Sequence, residues 1–363
     1  MPSPSTGALH RLLSPFVDPS TFDFWAQQIA PQWSWRRALA TVVARSVEAR
    51  DTVTLTLRLN RHCAWPQAGQ HINVSGEVNG RRVTRSYSPT RLDARQRTLD
   101  ITVKHVPNGV LSTHLCQTTQ AGEVLEIGDA FGQMTWPASV NGQWLLLAAG
   151  SGITPMISLI RQAFARDTSA QITLVYAAKT RADLCFLSEL RTLAAKTPHF
   201  RLHVLLSQEH DLLDGEASGR IHQAWLDQTV PDLSERQVYA CGPAGFVDTV
   251  RGLTANRVRS FTAEAFTPPA LGHTDTAGQP VHITLQQTGR TVTVASGQPL
   301  LPALEAHGLR VPHGCRMGVC NTCSCSKVGG TTQDLQSGES QAEPNSAVRL
   351  CISSASTDLT LDL

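Results

Sequence analysis

Four cysteines constrain this chain more than any other feature. Cys315, Cys320 and Cys323 follow a C-x4-C-x2-C spacing, and Cys351 comes after twenty-seven intervening residues. Three soft thiolates on one tight loop, with a distant fourth, can wrap a single inorganic core, and this is the spacing of [2Fe–2S] ligands. Between the first two cysteines stand only Arg316, Met317, Gly318 and Val319. A loop that short keeps backbone amides close to sulfur, and such amides help set a cluster's potential. The competing reading is structural zinc, which usually takes paired C-x2-C knuckles; here one C-x2-C stands beside one C-x4-C. Cys325 is expected to be a buried small hydrophobe and not a ligand.

At 363 residues the chain has room for two or three domains. Its 41% hydrophobic and 17% charged content is that of a soluble globular protein, and a formal charge of +2 leaves no footprint for nucleic acid. Nine cysteines without a secretory signal argue against a disulfide framework. Met1 to Phe16 lack the continuous apolar core of a signal peptide, and no eighteen-residue apolar run occurs. The expectation is a protein that is not integral to a membrane, in the cytoplasm where thiols stay reduced, with transient residence at a membrane surface left open.

The stretch 267–280 is rich in Pro, Gly and Thr, has no apolar periodicity, and reads as a linker. After it, Val281–Leu285 and Arg290–Val294 alternate like a hairpin, Leu300–His307 reads as a short helix, and Leu359–Leu363 as a closing strand. This predicts a small α+β domain over 281–363. Before the linker, short apolar runs at Trp144–Ala149, Ile172–Ala177, Leu202–Leu206 and Gln237–Ala240 alternate with helical stretches such as Met156–Ala165 and Ala182–Ala195. That pattern predicts a doubly wound parallel sheet over 139–266. From 38 to 138 the period shortens, with strands predicted at Thr52–Leu59, Arg81–Tyr87, Leu99–His105 and Gly122–Ile127, as in an antiparallel barrel. Residues 1–37 form an arm carrying Phe16, Phe22, Phe24, Trp25, Trp33 and Trp35, with prolines that prevent one long amphipathic helix. The arm is expected to pack on the barrel, with contact to a partner as the second reading.

Gly150-Ser151-Gly152-Ile153-Thr154-Pro155 follows an apolar strand and opens a helical run. Glycines admit a ligand close to the backbone, Thr154 can cap the helix, Pro155 fits its first turn, and the helix start then faces a pyrophosphate. Alone, this could be an ordinary turn. Arg85-Ser86-Tyr87-Ser88, at a predicted strand end, offers a guanidinium fork, a flat ring and short hydroxyls, though an exposed strand end has the same composition. Gly109 to Thr113 reads as a second helix start or a plain turn.

Taken in order, R-x-Y-S, G-x-x-S, G-x-G-x-x-P and Cys241-Gly242-Pro243 resemble the ferredoxin–NAD(P)+ reductase superfamily. With the cysteine set, the chain resembles its fused three-domain members, over about 38–363. The resemblance implies a flavin barrel, an NAD(P) domain and a β-grasp plant-type ferredoxin domain. It implies that Arg85, Ser86, Tyr87 and Ser88 hold the flavin, with Tyr87 against the ring and Ser88 near N5, and that Gly109, Leu111 and Ser112 sit at its pyrophosphate. Val103 and Lys104, with His105 and Pro107, look like the FAD-binding members, so FAD is expected over FMN. Gly150, Gly152 and Thr154 would meet the nicotinamide dinucleotide, with Cys241, Gly242 and Pro243 near its ring. Glu264 and Phe266 match acidic and aromatic positions beside the flavin, so Ser88, Cys241, Glu264 and Phe266 are the expected catalytic set. Asn321 departs from the pattern, which commonly has Gly there.

The function implied is a reductase passing electrons from NAD(P)H through flavin to a [2Fe–2S] cluster, and on to a membrane fatty-acyl desaturase or other oxygenase. The aromatic arm looks most like reductases that serve such desaturases. An FMN-containing phthalate-dioxygenase-reductase-like partner of a Rieske oxygenase is the first alternative. A redox sensor or zinc-stabilised interaction protein is the alternative of another class. Residues 281–363 carry six acidic and five basic side chains, too few acids for a free ferredoxin that relies on electrostatic steering. Lys179 and Arg181 could pair with a 2′-phosphate, yet Gln208 stands where NADP-specific relatives often carry Arg, so NADH and NADPH stay open.

Overall fold

The computed structural model describes residues 18–30, 32–166, 169–266, 278–335 and 337–363. Residues 267–277 of the expected linker 267–280, and Phe16 with the first part of the arm, lie outside these, and Pro280 at the linker's expected end already belongs to a strand. The chain divides into two compact units, Met1–Glu264 and Ala265–Leu363.

The first unit opens with α1 (Pro19–Ile29), capped by Asp18, whose carboxylate accepts from Thr21 N at 2.9 Å, with Pro19 in the first turn. Asp23 then accepts from Trp35 N at 2.6 Å, and Phe22 meets the buried Trp35 edge-on at 5.1 Å. Asn60 and His62 of the barrel bond Arg37 O and Ser34 O. The described part of the arm packs on the barrel, but Phe24, Trp25, Ile29 and Trp33 face outward.

Seven strands follow: β1 (Leu39–Ala49), β2 (Thr52–Leu59), β3 (His71–Val78), β4 (Arg81–Tyr87), β5 (Pro89–Asp93), β6 (Thr98–Lys104) and, after the one-turn α2 (Val110–Thr113), β7 (Val124–Phe131). Their order is β4-β3-β7-β1-β2-β6-β5, with antiparallel pairing throughout. Alternation puts Leu55, Leu57, Ile72, Leu99 and Ile101 inside, each essentially fully buried. Each such burial contributes about 1.5–3 kcal/mol. β4 and β5 are the two edges of this sheet, and Ser88 alone joins them in sequence.

The second part of the unit contains β8 (Gln143–Ala149), α3 (Ile153–Ala165), β9 (Gln171–Ala178), α4 (Leu187–Lys196), β10 (Phe200–Leu206), β11 (Glu216–Ser218), α5 (Gln223–Thr229), β12 (Gln237–Gly242), α6 (Ala244–Thr254) and β13 (Ser260–Ala265). Sheet order is β11-β10-β9-β8-β12-β13, and β8 through β12 pair in parallel. The order reverses at β8, so the carboxyl ends of β8 and β12 form the crevice where open parallel sheets bind ligands. The helix expected over Ala182–Ala195 is broken. A turn at Arg181–Asp183 is closed by a reciprocal Thr180–Asp183 cap, and Phe186 sits at φ 59 before α4 starts. Tertiary contacts impose the break: Phe186 N donates to Glu48 of the barrel at 2.9 Å, and Arg161 lies over the Phe186 ring.

The second unit is a mixed five-stranded sheet with one helix. It contains β14 (Pro280–Leu285), β15 (Thr291–Ala295), α7 (Leu300–Ala306), β16 (Ser324–Gly329), β17 (Thr332–Asp334), β18 (Ser340–Gln341), β19 (Ser346–Arg349), β20 (Ser353–Ala355) and β21 (Leu359–Leu361). The main order is β15-β14-β21-β16-β19, with β18-β17-β20 beside it. Ile283, Leu300, Leu304, Leu350 and Leu361 form the core under the cysteine loop. Among the described residues no helix is long and apolar enough to cross a membrane.

Candidate functional site

The R-S-Y-S run lies at the seam between the two sheet edges. On β4, an edge strand of this sheet, residues 85–87 pair with Val74, Asn73 and Ile72 of β3. Ser86 donates to Asn73 at 2.6 Å, and Arg85 donates to Thr84 O at 2.7 Å. Burial pushes the Tyr87 phenol up, with Arg85 partly offsetting it, so Tyr87 stays a neutral flat ring. Val103 and Leu111 are core residues, so only their main chain can face a cofactor. Lys104 pairs with Asp183 at 3.6 Å. Ser112 is buried, with its hydroxyl bonded to Gly109 O and Val106 N, so it shapes the loop and does not point outward.

The glycine loop falls at the sheet's reversal point. A Cβ on Gly152 would stand 2.0 Å from Cys241 O, so the β8 loop can press on the end of β12 only as glycine. Thr154 is not the cap expected from the sequence. The cap is Gly152, and the Thr154 hydroxyl turns back to Ser151 O at 3.0 Å. Gly242 packs against Ala149, and Pro243 caps α6. Thus Gly150, Gly152 and Thr154 meet Cys241, Gly242 and Pro243 in one crevice. Burial, and then Glu264, raise the Cys241 thiol well above its ordinary range, so it is a neutral thiol.

Two expected catalytic residues are joined through one the sequence did not flag. His71 opens β3, and the β3–β4 register pairs Ile72 with Tyr87. His71 therefore comes beside Ser88: Ser88 Oγ and His71 Nδ1 are 2.6 Å apart, and His71 Nε2 and Glu264 Oε2 are 2.5 Å apart. Ser88 and His71 are buried, and the Glu264 side chain is only 10% exposed. The barrel and the end of β13 thus share one buried polar chain. Phe266 lies just past β13, in the second unit.

In the second unit the cysteine loop is wound around sulfur. Met317 N and Cys320 N donate to Cys315 Sγ at 3.3 and 3.4 Å, Cys315 N donates to Cys320 Sγ at 3.2 Å, and Gly318 N donates to Cys351 Sγ at 3.2 Å. The sulfurs fall into two hydrogen-bonded pairs, Cys315 with Cys320 and Cys323 with Cys351. Among the described residues no three ligand side chains close on a single ion. Four cysteine sulfurs at this spacing suit a [2Fe–2S] core. Asn321 has φ 54, the left-handed region where Asn is the usual substitute for Gly, so its departure from the family pattern preserves the turn. Cys325 lies on β16 against the core, its thiol pushed up to about 12 by burial.

Comparison with known proteins follows the same divisions. Residues 39–136 match the oxidoreductase FAD-binding domain family, 146–252 the oxidoreductase NAD-binding domain family, and 283–356 the 2Fe-2S iron-sulfur cluster binding domain family. An NADPH oxidoreductase of Mycobacterium tuberculosis is 32% identical over 99% of this chain and 93% of its own length. The ferredoxin reductase component of a 3-ketosteroid-9-alpha-monooxygenase from the same species is 33% identical over 71% of this chain and 73% of its own. The solved phthalate dioxygenase reductase shares the fold, with TM-score 0.58 and 24% identity over 90% of this chain and 97% of that one. The cysteine-bearing unit is accordingly a [2Fe–2S] domain, and the cysteine geometry and the barrel seam fall inside the matched segments. The chain belongs to the ferredoxin–NAD(P)+ reductase superfamily, as an oxidoreductase that joins an FAD-binding, an NAD-binding and a [2Fe–2S] domain in one polypeptide.

Proposed function

We propose that this chain draws electrons from NAD(P)H at the crevice between Gly150–Thr154 and Cys241–Pro243, and delivers them through FAD and a [2Fe–2S] cluster to a separate oxygenase or desaturase. A nicotinamide gives electrons in pairs and a [2Fe–2S] centre takes them singly, so a flavin between them supplies the conversion. Arg85 would hold a flavin phosphate, with Tyr87 and Ser88 toward its ring system. The α3 start would receive the dinucleotide pyrophosphate, Cys241 would exclude water beside the nicotinamide, and Glu264 would close the flavin side. Cys315, Cys320, Cys323 and Cys351 hold the cluster.

The observation that carries this reading is the chain Ser88–His71–Glu264, which ties the seam of the barrel to the edge of the nucleotide domain. An oxygenase as acceptor is supported by the monooxygenase reductase component among the relatives. The narrower reading, a desaturase held at a membrane, is supported by the outward face of α1, where Phe24, Trp25 and Ile29 are 60, 64 and 80% exposed. Deleting the chain after Thr267 tests the electron order. The remaining flavoprotein should oxidise NADPH with small artificial acceptors and lose most cytochrome c reduction. Undiminished cytochrome c reduction would reject the proposed order.

A further inference from the structure

One short turn takes hold of the cysteine loop at a single residue, Gly318. Cys351 Sγ accepts from Gly318 N at 3.2 Å, and Arg349 Nη1 donates to Gly318 O at 2.7 Å. Buried Ile352 fills the space where a side chain on residue 318 would stand. The turn that carries these three is itself closed, with Ile352 N donating to Arg349 O at 3.1 Å. Gly318 lies between Cys315 and Cys320, whereas Cys351 comes from beyond the end of β19. The grip therefore joins the distant cysteine to the loop that carries the other three.

Arg349 reaches further. Its Nη2 donates to Asp334 Oδ2 of β17 at 3.1 Å, so one planar fork spans from the cysteine loop to a second strand. Asp334 is held in turn: Oδ1 accepts from Ser337 N at 3.1 Å, its own N–H donates to Glu339 O at 2.8 Å, and the β17–β20 register sets it opposite Ser353. The Arg349 and Asp334 side chains are 41 and 22% exposed, so as an ion pair they contribute little to folding. What the pair does have is a fixed direction, toward the Gly318 carbonyl.

We propose that Arg349 is a positioning residue for the cluster: by anchoring the Gly318 carbonyl it fixes the backbone from which the Gly318 amide reaches Cys351 Sγ, and Asp334 sets the angle of its fork. This rests on the reading that Cys315, Cys320, Cys323 and Cys351 hold the [2Fe–2S] centre. Glycine leaves the backbone soft, and at φ 77 no side chain of its own holds residue 318 in place. A hydrogen bond donated to a ligand sulfur favours the more negative, reduced form, so a slack Gly318 amide lowers the potential. Charge and position give opposite signs at Asp334. Removing its anion raises the potential by simple electrostatics, whereas loosening the fork lowers it.

The test is a redox titration of the full-length protein, loaded with flavin and [2Fe–2S], followed by the electron paramagnetic resonance signal of the reduced centre. Iron release to a chelator is measured alongside. Arg349→Ala should lower the equilibrium constant for reduction of the centre about tenfold, about 59 mV for one electron. It should also change the g values and speed iron release about ten- to hundredfold. Arg349→Lys, which keeps the charge and loses the fork, should recover only part of each effect. Asp334→Asn should lower the potential as well. A raised potential in Asp334→Asn, full recovery in Arg349→Lys, or an unchanged potential and iron release in Arg349→Ala would each overturn the positioning role. Cys351→Ser separates the two readings. Full iron and an unaltered signal in that variant would remove Cys351 from the ligand set and the proposal with it. A lost or altered signal there, with Arg349→Ala unaltered, would overturn the role of Arg349 and leave the ligand assignment standing.

Discussion

A methyl group at position 318 has nowhere to go. Gly318 has φ 77, and an added Cβ would stand 2.4 Å from Ile352 Cδ1, under the loop whose amide at 318 donates to Cys351 Sγ. The left-handed backbone alone costs an L side chain about 1–2 kcal/mol, and the contact adds to it. Gly318→Ala should therefore lower iron content markedly, while Cys325→Ser, on β16 and half-buried against the core, should leave iron content unchanged. Iron per protein by absorption and metal analysis decides both. At the seam, Arg85→Ala should remove a charge-assisted contact of about 1.5–3 kcal/mol and reduce flavin affinity about ten- to hundredfold. Arg85→Lys should recover part of it, because an ammonium lacks the planar fork. Flavin retained after dialysis is the readout, and full retention in Arg85→Ala would withdraw the assignment.

At the level of elements, β11 is three residues long and stands at the edge of the nucleotide sheet, yet it holds a charge cluster. The Glu216 side chain is buried and takes Arg181 at 2.9 and 2.7 Å and Arg191 at 2.7 Å. The Arg181 hydrogen bonds, with a smaller Coulombic pull from Arg191, hold Glu216 down at about 2. A depressed carboxyl stabilises the fold above its unfolded value, near 4.5, and loses that contribution as pH falls toward 2. Glu216→Gln should thus cost about 1–2 kcal/mol at pH 7, less than the shift implies because the arginines stand partly in water. In urea titrations the gap to wild type should narrow from about pH 4.5 downward, and a constant gap would contradict the linkage. Because the Arg181 fork is taken by Glu216, Arg181→Ala should change stability more than the NADPH-to-NADH preference, leaving Lys179 as the nearer candidate for a 2′-phosphate.

On the scale of the first unit, Arg161 is one of several side chains that latch the barrel to the nucleotide domain. Arg161 donates to Thr90 O of the barrel at 2.7 Å, forks onto Glu189 at 2.8 and 2.6 Å, and lies over Phe186. Arg50 N of the barrel donates to Ala182 O at 2.8 Å. These contacts set the Gly150–Pro155 loop against the Arg85–Ser88 seam. Hydride transfer is sensitive to small displacements of the reacting groups, so Arg161→Ala should slow it about ten- to hundredfold with flavin content unchanged. Rapid mixing with NADPH measures this directly, and an unchanged bleaching rate would mean the domains stay aligned without Arg161.

What could be read before folding was local in the chain. The cluster ligands share a loop, the Gly150–Pro155 run follows its own strand, and most strands betray themselves by period, because loop spacing and alternation act between near neighbours. Strands β1, β3, β5, β11, β13 and β16 to β20 were not legible; β3 carries Gly76, tight against Leu111, and polar residues that blur alternation, and β17, β18 and β20 are only two or three residues long. The break at Phe186 was hidden because Glu48, which imposes it, lies 138 positions away. The same holds for His71: its partner Glu264 is 193 positions away, and only strand register and domain docking bring them together. Chemistry carried by spacing is therefore determined by the sequence alone. The buried chain from Ser88 through His71 to Glu264 is decided by the tertiary fold, because a contact over that separation leaves no local signature in either segment.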